Sequence, residues 1–557
     1  MTPNAARRAR GLVAPLLGLG GMLALAASST LWDRDEPRFA RATVEMVASG
    51  DYLVPTFNGA LRPDKPAGIY WLMAAAAWLL GPSELAFRLP SIAFMALGAW
   101  ATGRVGRRLF GPRTGNLACA YYATALMPIY IGSAATADGV LNGCLAVAWL
   151  CAVELACGGR PWRPYLGVAL ALGVAQLVKG PVGLVLPTLS AALAAALAAR
   201  HGVVLWPRAT GLGLVAAAVA SVAPFAAWGL PADARTGGEL AARGLGYHVL
   251  ARATTALDGH GGRDAWGYLA WLPFYLPVVL VGFLPWSPRL PAALAALWHG
   301  RLGGARERAL VWGAMIPPFV VMTLVVTRLP HYVLPGFPAL AVLVAAVVDR
   351  ADPRDASALR LGARVGGALA VLGASGGAIA VALRSDLAPL VGPAFALAGV
   401  VVATAVAAWR RVDRADWAGA DRATHVGMGV AITVLAVWAI PAYERLGKGI
   451  PTLAAAVRAE VGTDAPVAVH ELGEPSLVHY LDRPWGRPVL FLEDEHAVVA
   501  WDAIAAPGVL VIPRERLLAI ASVHTLLSMD EVARVRVLDH TRGRWLELVA
   551  VRRRTGR

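Results

Sequence analysis

Long apolar runs constrain this chain more than any other feature of its sequence. They recur from Gly11 to about Ala442, and a helix that spans a bilayer needs ~20 predominantly apolar residues. Hydrophobic residues make up 57% of the chain and charged residues 16%, against roughly 45–50% and 25% in soluble domains. These values exclude a soluble enzyme, a disordered chain and a single-span receptor. They predict a mostly α-helical polytopic membrane protein.

Thirteen of these runs are predicted transmembrane helices. They cover residues 11–28, 89–103, 117–131, 140–157, 165–178, 181–199, 209–230, 266–286, 309–326, 332–348, 365–383, 387–409 and 426–442. The first follows three arginines and also fits a signal peptide, but either fate leaves the next segment outside. Several runs are shorter than the ~20 residues that a bilayer requires, so their ends are approximate.

Positive charge decides whether one further apolar run, residues 67–81, also crosses the membrane. If it does not cross, most arginines of the membrane part lie in the N-terminus and the inner loops, and the short outer connections keep Lys179, Arg328 and Arg384. If it crossed, every later loop would change sides and the inner excess of basic residues would be lost. We therefore predict a juxtamembrane or re-entrant helix on the outer side. The net charge of +15 follows from this topology and indicates no nucleic-acid partner.

The chain after about residue 443 differs in composition from the rest and is predicted to lie outside. Short β-rich runs at 466–470, 489–494, 508–513, 532–539 and 545–552 alternate with helical stretches near 474–481 and 514–527. This alternation is typical of a small α/β domain. The predicted organisation is a transmembrane domain at 1–442, with outer loops at 29–88 and 231–265, and an extracytoplasmic α/β domain at 443–557.

Two sets of carboxylates lie on the predicted outer face. Asp35 and Glu36 precede residues 38–49. In this stretch the charged residues share one helical face and the apolar residues share the other, as in an interfacial helix. Asp138 lies in a turn between two apolar runs, where a carboxylate is costly unless it is paired or solvated. Such acids could be catalytic or could bind a divalent cation. The alternative is a capping role at the two helix starts.

Basic residues from several distant segments are predicted to face these acids. They are Arg62, Lys65, Lys179, Arg243, Arg252 and Arg328. Each one alone could extend to the lipid headgroups, but several on one side resemble a phosphate site, because Arg and Lys bind phosphate through charge-assisted hydrogen bonds. A polyanionic lipid substrate is the natural inference. The chain has no GxxxxGK[ST], GxSxG or HExxH motif, so ATP, serine-hydrolase and zinc-protease chemistry have no support.

An ordered set of short motifs resembles the bacterial GT-C glycosyltransferases of the protein-mannosyltransferase clan. The set comprises RDEPRFA, DKPAGIYW, GPSELAFRLPS, TADG, KGP, YLPVVLVGFLPW and RLPHYVLPGFP, in that order along the chain. Within this clan the motifs are most similar to the transferases that modify lipid A with aminoarabinose (ArnT type). Each motif is weak by itself, but the ordered set is specific and covers nearly all of the membrane part.

The resemblance implies a function and a set of site residues. It implies transfer of 4-amino-4-deoxy-L-arabinose from undecaprenyl phosphate to a lipid A phosphate at the periplasmic face of the bacterial inner membrane, which gives resistance to polymyxin and other cationic peptides. The implied catalytic acids are Asp35 and Asp138. The implied donor-phosphate ligands are Lys65, Arg38, Arg62, Arg252 and Lys179. The implied substrate cleft contains Glu36, Tyr70, Arg328, His331 and Tyr332. A divalent cation at Asp64 and His248 stays open. Relatives often have Glu where this chain has Asp64, and their acidic-His-x-x-Arg pattern is Gly246-Tyr247-His248 with Arg252 in this chain.

Two other functions stay open at this point. The same architecture hosts transferases that move other sugars to protein or glycan, since a fold does not fix a substrate. A lipid transporter also has many spans, but such proteins often show internal repeats and charged groups near the bilayer midplane, and neither is evident here. The expected partners are the undecaprenyl-phosphate-linked donor, lipid A and membrane lipids, with the protein as a monomer. Whether the aspartates act as bases or position the substrate is not decided by the sequence.

Overall fold

The membrane part consists of helices that follow one another with short connections. The structure, a computed structural model, describes residues 3–158, 162–251, 265–461, 466–481, 488–503, 508–523, 529–539 and 544–553. The helices of the N-terminal half are α1 (Pro3–Ala27), α2 (Asp35–Ser49), α3 (Gly68–Leu80), α4 (Glu84–Phe110), α5 (Pro112–Ala123), α6 (Leu126–Gly132), α7 (Ala137–Ala156), α8 (Trp162–Lys179), α9 (Val182–Ala199), α10 (Arg208–Ala220), α11 (Val222–Arg235) and α12 (Glu239–Ala241), and a π-helix follows at Ala242–Ala251.

The second half of the membrane part is also helical. Its helices are α13 (Ala265–Ala270), α14 (Tyr275–Gly282), α15 (Leu290–Trp298), α16 (Ala305–Leu324), α17 (Phe337–Arg350), α18 (Pro353–Ala382), α19 (Ala388–Asp413), α20 (Trp417–Val434), a π-helical turn at Leu435–Ala439, and α21 (Ile440–Gly447). Short 3₁₀ turns occur at Leu272–Phe274, Ser287–Arg289, Pro330–Gly336 and Ser385–Leu387.

The helices confirm the predicted polytopic membrane protein. Among the described residues, nine helical segments are long and apolar enough to cross a membrane, and a pair bent by 114°, Trp266–Gly282 with Ser287–Trp298, makes a tenth. The other three of the thirteen predicted spans also fall on helices, namely α1, α5 with α6, and α8. These three helices are not counted among the nine, because their apolar stretches are short or interrupted.

Residues 67–81 contain the short helix α3. The distribution of basic residues predicts that this segment does not cross the membrane. The 13 residues of α3 reach about 20 Å at 1.5 Å per residue, less than the ~30 Å of a hydrocarbon core. Its residues Ile69, Tyr70 and Met73 are fully buried. The helix therefore packs within the protein, as a juxtamembrane segment does, while its side of the membrane stays a prediction.

Helix α2 differs from the predicted interfacial helix. Its apolar residues Phe39, Ala40 and Met46 are buried, but Arg41 on the charged face is also only 5% exposed. Its guanidinium donates to Glu45 at 2.7 Å, and Glu45 also accepts hydrogen bonds from Thr56 and from the backbone of Asn58, both at 2.7 Å. The prediction of a solvated charged face was wrong because the following chain folds back over that face.

The segment that folds back is a hairpin of two short strands, β1 (Thr56–Phe57) and β2 (Ala60–Leu61). Asn58 and Gly59 at its tip have φ of 54° and 74°, as a two-residue type I′ turn requires. The hairpin leads directly into Arg62 and Lys65. Glu45 thus fixes the start of the segment that carries two predicted phosphate ligands.

The C-terminal part confirms the predicted α/β fold. It contains α22 (Ile450–Val461), β3 (Val467–His470), α23 (Pro475–Leu481), β4 (Leu490–Leu492), α24 (Glu495–Ala503), β5 (Val509–Pro513), α25 (Arg514–Val523), β6 (Met529–Asp539) and β7 (Arg544–Arg553). The sheet order is β4-β3-β5-β7-β6, with β3 parallel to both neighbours and the β5–β7 and β7–β6 pairs antiparallel. All five predicted strands and both predicted helices are present, and α22 and α24 were missed.

Candidate active site between two chambers

Two cavities meet on the side of the protein that carries the predicted site residues. The first, here called the polar chamber, has a volume of about 880 Å³ and is lined by Asp35, Glu36, Arg38 and Arg62 among others. The second, the apolar chamber, has a volume of about 680 Å³ and a lining that includes Phe225, Trp228 and Leu230. Six residues line both chambers, and we call them the collar: Asp64, Lys65, Asp138, Lys179, His331 and Tyr332.

Asp138 lies in the first turn of α7, at the centre of the collar. One of its carboxylate oxygens accepts a hydrogen bond from Lys179, which ends α8. The other oxygen is 3.6 Å from Nε2 of His331. Asp138 is only 8% exposed, so the ammonium of Lys179 balances its charge where burial would otherwise be costly.

Close helix packing sets the position of Asp138. Gly139 and Gly143, one turn apart on α7, face α4 so closely that a Cβ atom on Gly143 would lie 2.2 Å from the carbonyl oxygen of Phe94 and one on Gly139 would lie 2.7 Å from Cβ of Ser91. Small residues four apart allow helices to approach in this way. The first turn of α7 is therefore held against α4.

The lysines of the collar come from two segments. Lys179 Nζ lies 5.2 Å from the ring centroid of Tyr332, a favourable cation–π distance. Lys65 Nζ donates to the carbonyl of Asp64 at 2.9 Å. Both lysines line the two chambers, so a phosphate held between the chambers meets two compact positive charges.

Arg62 and Arg38 extend the positive charge into the polar chamber. Arg62 is 7% exposed, donates to the Tyr70 hydroxyl at 2.9 Å and pairs with Asp64 at 2.9 Å. Burial, and then the charge of Arg62, lower the pKa of the Arg38 guanidinium below its usual value. Two guanidinium groups that repel one another in a partly dry cavity favour an anion between them.

The neighbouring acids Asp35 and Glu36 differ in their hydrogen bonds and ion pairs. The Glu36 carboxylate binds Arg88 through two hydrogen bonds of 2.8 and 2.6 Å, and it also accepts from the backbone of Trp32 and Ala135. Within the described part of the chain, the Asp35 carboxylate takes part in no hydrogen bond or ion pair. Glu36 therefore stabilises the loop, and Asp35 is the acid that is open to a substrate in the polar chamber.

Some predicted site residues lie elsewhere. Tyr70 is fully buried under Arg62 and does not line either chamber as described. Arg328, 1% exposed, lies 4.7 Å from the ring centroid of Tyr268 and donates to the carbonyl of Thr323. Neither is placed to contact a substrate directly. Arg252 and the side chain of His248 lie outside the described residues.

The donors around Asp64 do not form a metal site in the described part of the chain. No group of three His, Cys, Asp or Glu side chains there could hold a metal ion, and the Asp64 carboxylate already pairs with Arg62 at 2.9 Å. The assignment of Asp64 and His248 to a divalent cation stays a prediction, and no chemical step below depends on it.

Arg88 is the main residue that sequence reasoning missed. It is fully buried and donates to three backbone carbonyls, those of Ala26, Ser29 and Thr30, as well as to Glu36. An arginine near the start of an otherwise apolar helix indicates a buried partner, because an unpaired charge there is expensive. This signal was present in the motif GPSELAFRLPS.

Comparison with known protein families supports the resemblance. A family model described as dolichyl-phosphate-mannose-protein mannosyltransferase matches residues 64–228. An undecaprenyl phosphate-alpha-4-amino-4-deoxy-L-arabinose arabinosyl transferase of Edwardsiella ictaluri is 30% identical over 354 residues, which are 59% of this chain and 58% of that protein. The corresponding protein of Pseudomonas paraeruginosa is 32% identical over 340 residues, with the same two shares. The match thus spans about 58% of the length of these relatives.

Solved structures with the same fold cover nearly the whole chain. ArnT from Cupriavidus metallidurans bound to undecaprenyl phosphate has a TM-score of 0.75 and 22% sequence identity, and the match covers 97% of both chains. Its apo state has the same TM-score, 20% identity and 99% coverage of both chains. The predicted GT-C fold and the predicted resemblance to this group of transferases are confirmed.

Proposed function

We propose that this protein transfers 4-amino-4-deoxy-L-arabinose from an undecaprenyl phosphate carrier to a phosphate of lipid A, at the periplasmic face of the bacterial inner membrane. The observation that carries the proposal is the charged collar between an apolar and a polar chamber. A sugar linked to a polyprenyl phosphate has the same order of parts: an apolar chain, a phosphate and a polar head. The names of the similar arabinosyl transferases supply the sugar and the carrier.

The apolar chamber fits the carrier chain. Its lining includes helices α9 and α11 and the C-terminal end of α16, with side chains such as Val185, Phe225 and Val321. Each CH₂ group that leaves water contributes about 0.8 kcal/mol, so a few isoprene units are enough to hold the donor. The carrier phosphate then lies at the collar, near Lys65 and Lys179.

The transfer step requires positioning and charge rather than a strong base. A lipid A phosphate monoester has a second pKa of about 6, so its oxygen is already a nucleophile near pH 7. That oxygen forms a bond to C1 of the sugar, while the bond from C1 to the carrier-phosphate oxygen breaks and the electron pair stays on that oxygen. Cations that grip the leaving phosphate more strongly as its charge grows accelerate this step.

The residues of the two chambers divide these tasks. Lys65 and Lys179 stabilise the charge on the leaving carrier phosphate. Arg38 and Arg62, which the resemblance assigns to the donor phosphate, hold the acceptor phosphate instead, because they line the polar chamber and not the apolar one. Asp35 binds the 4-amino group of the sugar, which is a cation at neutral pH. Modification of a lipid A phosphate with this amine reduces the negative charge of the membrane, which accounts for resistance to polymyxin and other cationic peptides.

The second candidate function, transfer of a different sugar to protein or glycan, uses the same collar. What favours the amino sugar is the open carboxylate of Asp35 in a chamber otherwise rich in arginine, because a neutral sugar such as mannose offers no cation to match it. A lipid transporter would need no reactive groups at the junction of the chambers. The collar, with its paired Asp138, argues for an enzyme.

A reconstituted assay tests the proposal. The purified protein in proteoliposomes with lipid A receives undecaprenyl phosphate carrying radiolabelled aminoarabinose, and the extracted lipids are separated. We expect the label in lipid A, and no label when lipid A without phosphates is supplied. Transfer of mannose from the matching carrier, or label in protein or glycan instead of lipid A, would support the second candidate.

A further inference from the structure

Five consecutive residues before Asp35 are each held by the C-terminal region. These residues, Thr30 to Arg34, connect helix α1 to α2, and their partners are more than 400 positions later in the chain. We call the partners the clasp: Tyr443, Glu444, Lys448, Glu474, Ser476 and Tyr480. They lie on α21, on α23 and in the segments beside these helices.

The first contacts of the clasp hold Thr30 and Leu31. The Thr30 hydroxyl donates to Glu444 at 2.7 Å, and its carbonyl accepts from Lys448 at 2.9 Å. The backbone N–H of Leu31 donates to the hydroxyl of Tyr480 at 2.8 Å. Main-chain atoms are held in two of these three bonds, so the clasp fixes the course of the backbone itself.

The remaining contacts hold the three residues nearest to Asp35. The Trp32 ring stacks on Tyr443 with centroids 5.4 Å apart, and Lys448 Nζ lies 4.1 Å from the centroid of the Trp32 ring. The Asp33 carboxylate accepts from the backbone N–H of Ser476 at 3.0 Å and from its hydroxyl at 2.5 Å. These two bonds cap the N-terminus of α23 from a distant segment.

Arg34 completes the set of five residues. Its guanidinium lies 3.9 Å from Glu474, which is 4% exposed. Two residues further on, Glu36 is held by the buried Arg88. Asp35 thus lies between two fixed points, and its own carboxylate is the one left open toward the polar chamber.

We propose that the clasp positions Asp35 for the reaction, so that Ser476 and Tyr480 are positioning residues of the active site. This inference rests on the proposed function, in which Asp35 binds the substrate. A catalytic group must be held within about 0.5 Å of its productive place, and a misplacement of about 1 Å can lower a rate ~100-fold. The C-terminal domain is on this view part of the catalytic machinery and not an independent module.

Two clasp variants and one matched control test the proposal in the full-length protein. Ser476→Ala removes one of the two bonds to Asp33, and Tyr480→Phe removes the acceptor for Leu31. In the control, Trp545→Phe removes a hydrogen bond of 2.8 Å from the C-terminal sheet to Asp386, a contact of the same domain with the membrane part that involves none of the clasp hydrogen bonds. We expect kcat to fall about tenfold in both clasp variants and less than twofold in the control.

The split between kinetic parameters separates positioning from general damage. Because the donor phosphate is bound at the collar, KM for the donor and the affinity for undecaprenyl phosphate should stay within twofold of the wild type in both clasp variants. Their thermal midpoints should stay within a few degrees of the wild type. Ser476→Thr keeps the hydroxyl and should recover most of kcat. Wild-type kcat in both clasp variants overturns the proposal, and so does an equal loss of kcat and thermal midpoint in the clasp variants and the control.

Hydrogen exchange gives a readout that does not depend on which sugar is transferred. Without substrate, Ser476→Ala should speed the exchange of backbone amides in the peptide that covers residues 30–36, and Trp545→Phe should not. If the wild-type protein transfers no aminoarabinose but exchange in this peptide speeds up as expected, the proposed function fails while the clasp stands. Unchanged exchange in Ser476→Ala overturns the clasp itself.

Discussion

At the scale of single residues, the two predicted catalytic aspartates are not equivalent. Asp138 is paired with Lys179 and lies near His331, so its charge is already balanced by the protein. Asp35 has no such partner among the described residues and faces the polar chamber. In the proposed function, Asp138 organises the cations that meet the carrier phosphate, and Asp35 meets a cation of the substrate.

This division of roles predicts how the transfer rate of an Asp35 variant depends on pH. Asp35→Asn should lower transfer about 100-fold, because the neutral amide no longer binds the amino group of the sugar. The residual rate should level off above about pH 7, where the acceptor phosphate is fully ionised. The measurement is kcat of the variant between pH 6 and 9. A residual rate that climbs about tenfold per pH unit above neutrality would instead identify Asp35 as a general base.

Lys65 makes a separate prediction about the donor. Lys65→Ala should abolish transfer and weaken binding of undecaprenyl phosphate by about 10- to 100-fold, since a charge-assisted hydrogen bond contributes about 1.5–3 kcal/mol. Lys65→Arg should also fail, because a planar guanidinium does not replace a compact ammonium in a closed collar. Calorimetric titration with the carrier lipid measures both variants.

The control for Lys65 is Arg243→Ala. Arg243 is half exposed and pairs with Glu239 on the same helical segment, and it lines neither chamber as described. The Arg243→Ala substitution removes one positive charge and leaves the collar unchanged, so binding of the carrier should also be unchanged. Normal carrier binding in Lys65→Ala would remove Lys65 from the phosphate site.

At the scale of secondary structure, the contact between α4 and α7 determines where Asp138 lies. Gly139 and Gly143 bring the two helices close together, and Gly143 faces the carbonyl of Phe94 with no room for a side chain. The chain carries Asp138 just one residue before this contact. A change in the spacing of these helices therefore moves the acid relative to Lys179, which is on α8.

A substitution at this contact should affect both stability and activity. Gly143→Val forces the helices apart and should lower the free energy of unfolding by about 1–3 kcal/mol, as overpacking does, with a loss of transfer activity at temperatures where the protein is still folded. Gly399→Ala on α19 has open space around its Cα and should have the wild-type thermal midpoint. Equal midpoints for the two variants would contradict the close packing of α4 and α7.

At the scale of the whole molecule, the collar, the clasp and the C-terminal sheet must lie on one side of the membrane. The predicted topology places that side in the periplasm, with α3 as a helix that does not cross. In the proposed function, the acceptor lipid is modified at this face before it leaves the inner membrane.

Thiol labelling tests this arrangement in a variant without native cysteines. Cysteines introduced at the exposed positions Ser49 and Gly473 should react with an impermeant reagent added to spheroplasts. One at His201, an exposed position after α9, should react only after the membrane is opened. Labelling of His201→Cys from outside, with protection of the other two, would reverse the topology and remove the proposed site from the periplasm.

The sequence by itself determined the elements and their class. Apolar runs and basic loops predicted thirteen helical segments and the non-crossing status of α3, and alternation of residues predicted all five strands of the C-terminal sheet, because both signals are local. The motifs around Asp35, Lys65 and Asp138 were also found in the sequence, since the resemblance depends on short ordered runs.

Only the tertiary structure decided what the charged residues do. Glu36 and Asp35 are neighbours of the same chemical type, and nothing local separates the one held by Arg88 from the one left open. Tyr70 and Arg328 match the expected motifs, yet burial under Arg62 and against Tyr268 takes them away from the substrate. The clasp joins residues 30–34 to partners more than 400 positions away, and contacts of that separation depend on how helices pack, which no local pattern of residues encodes.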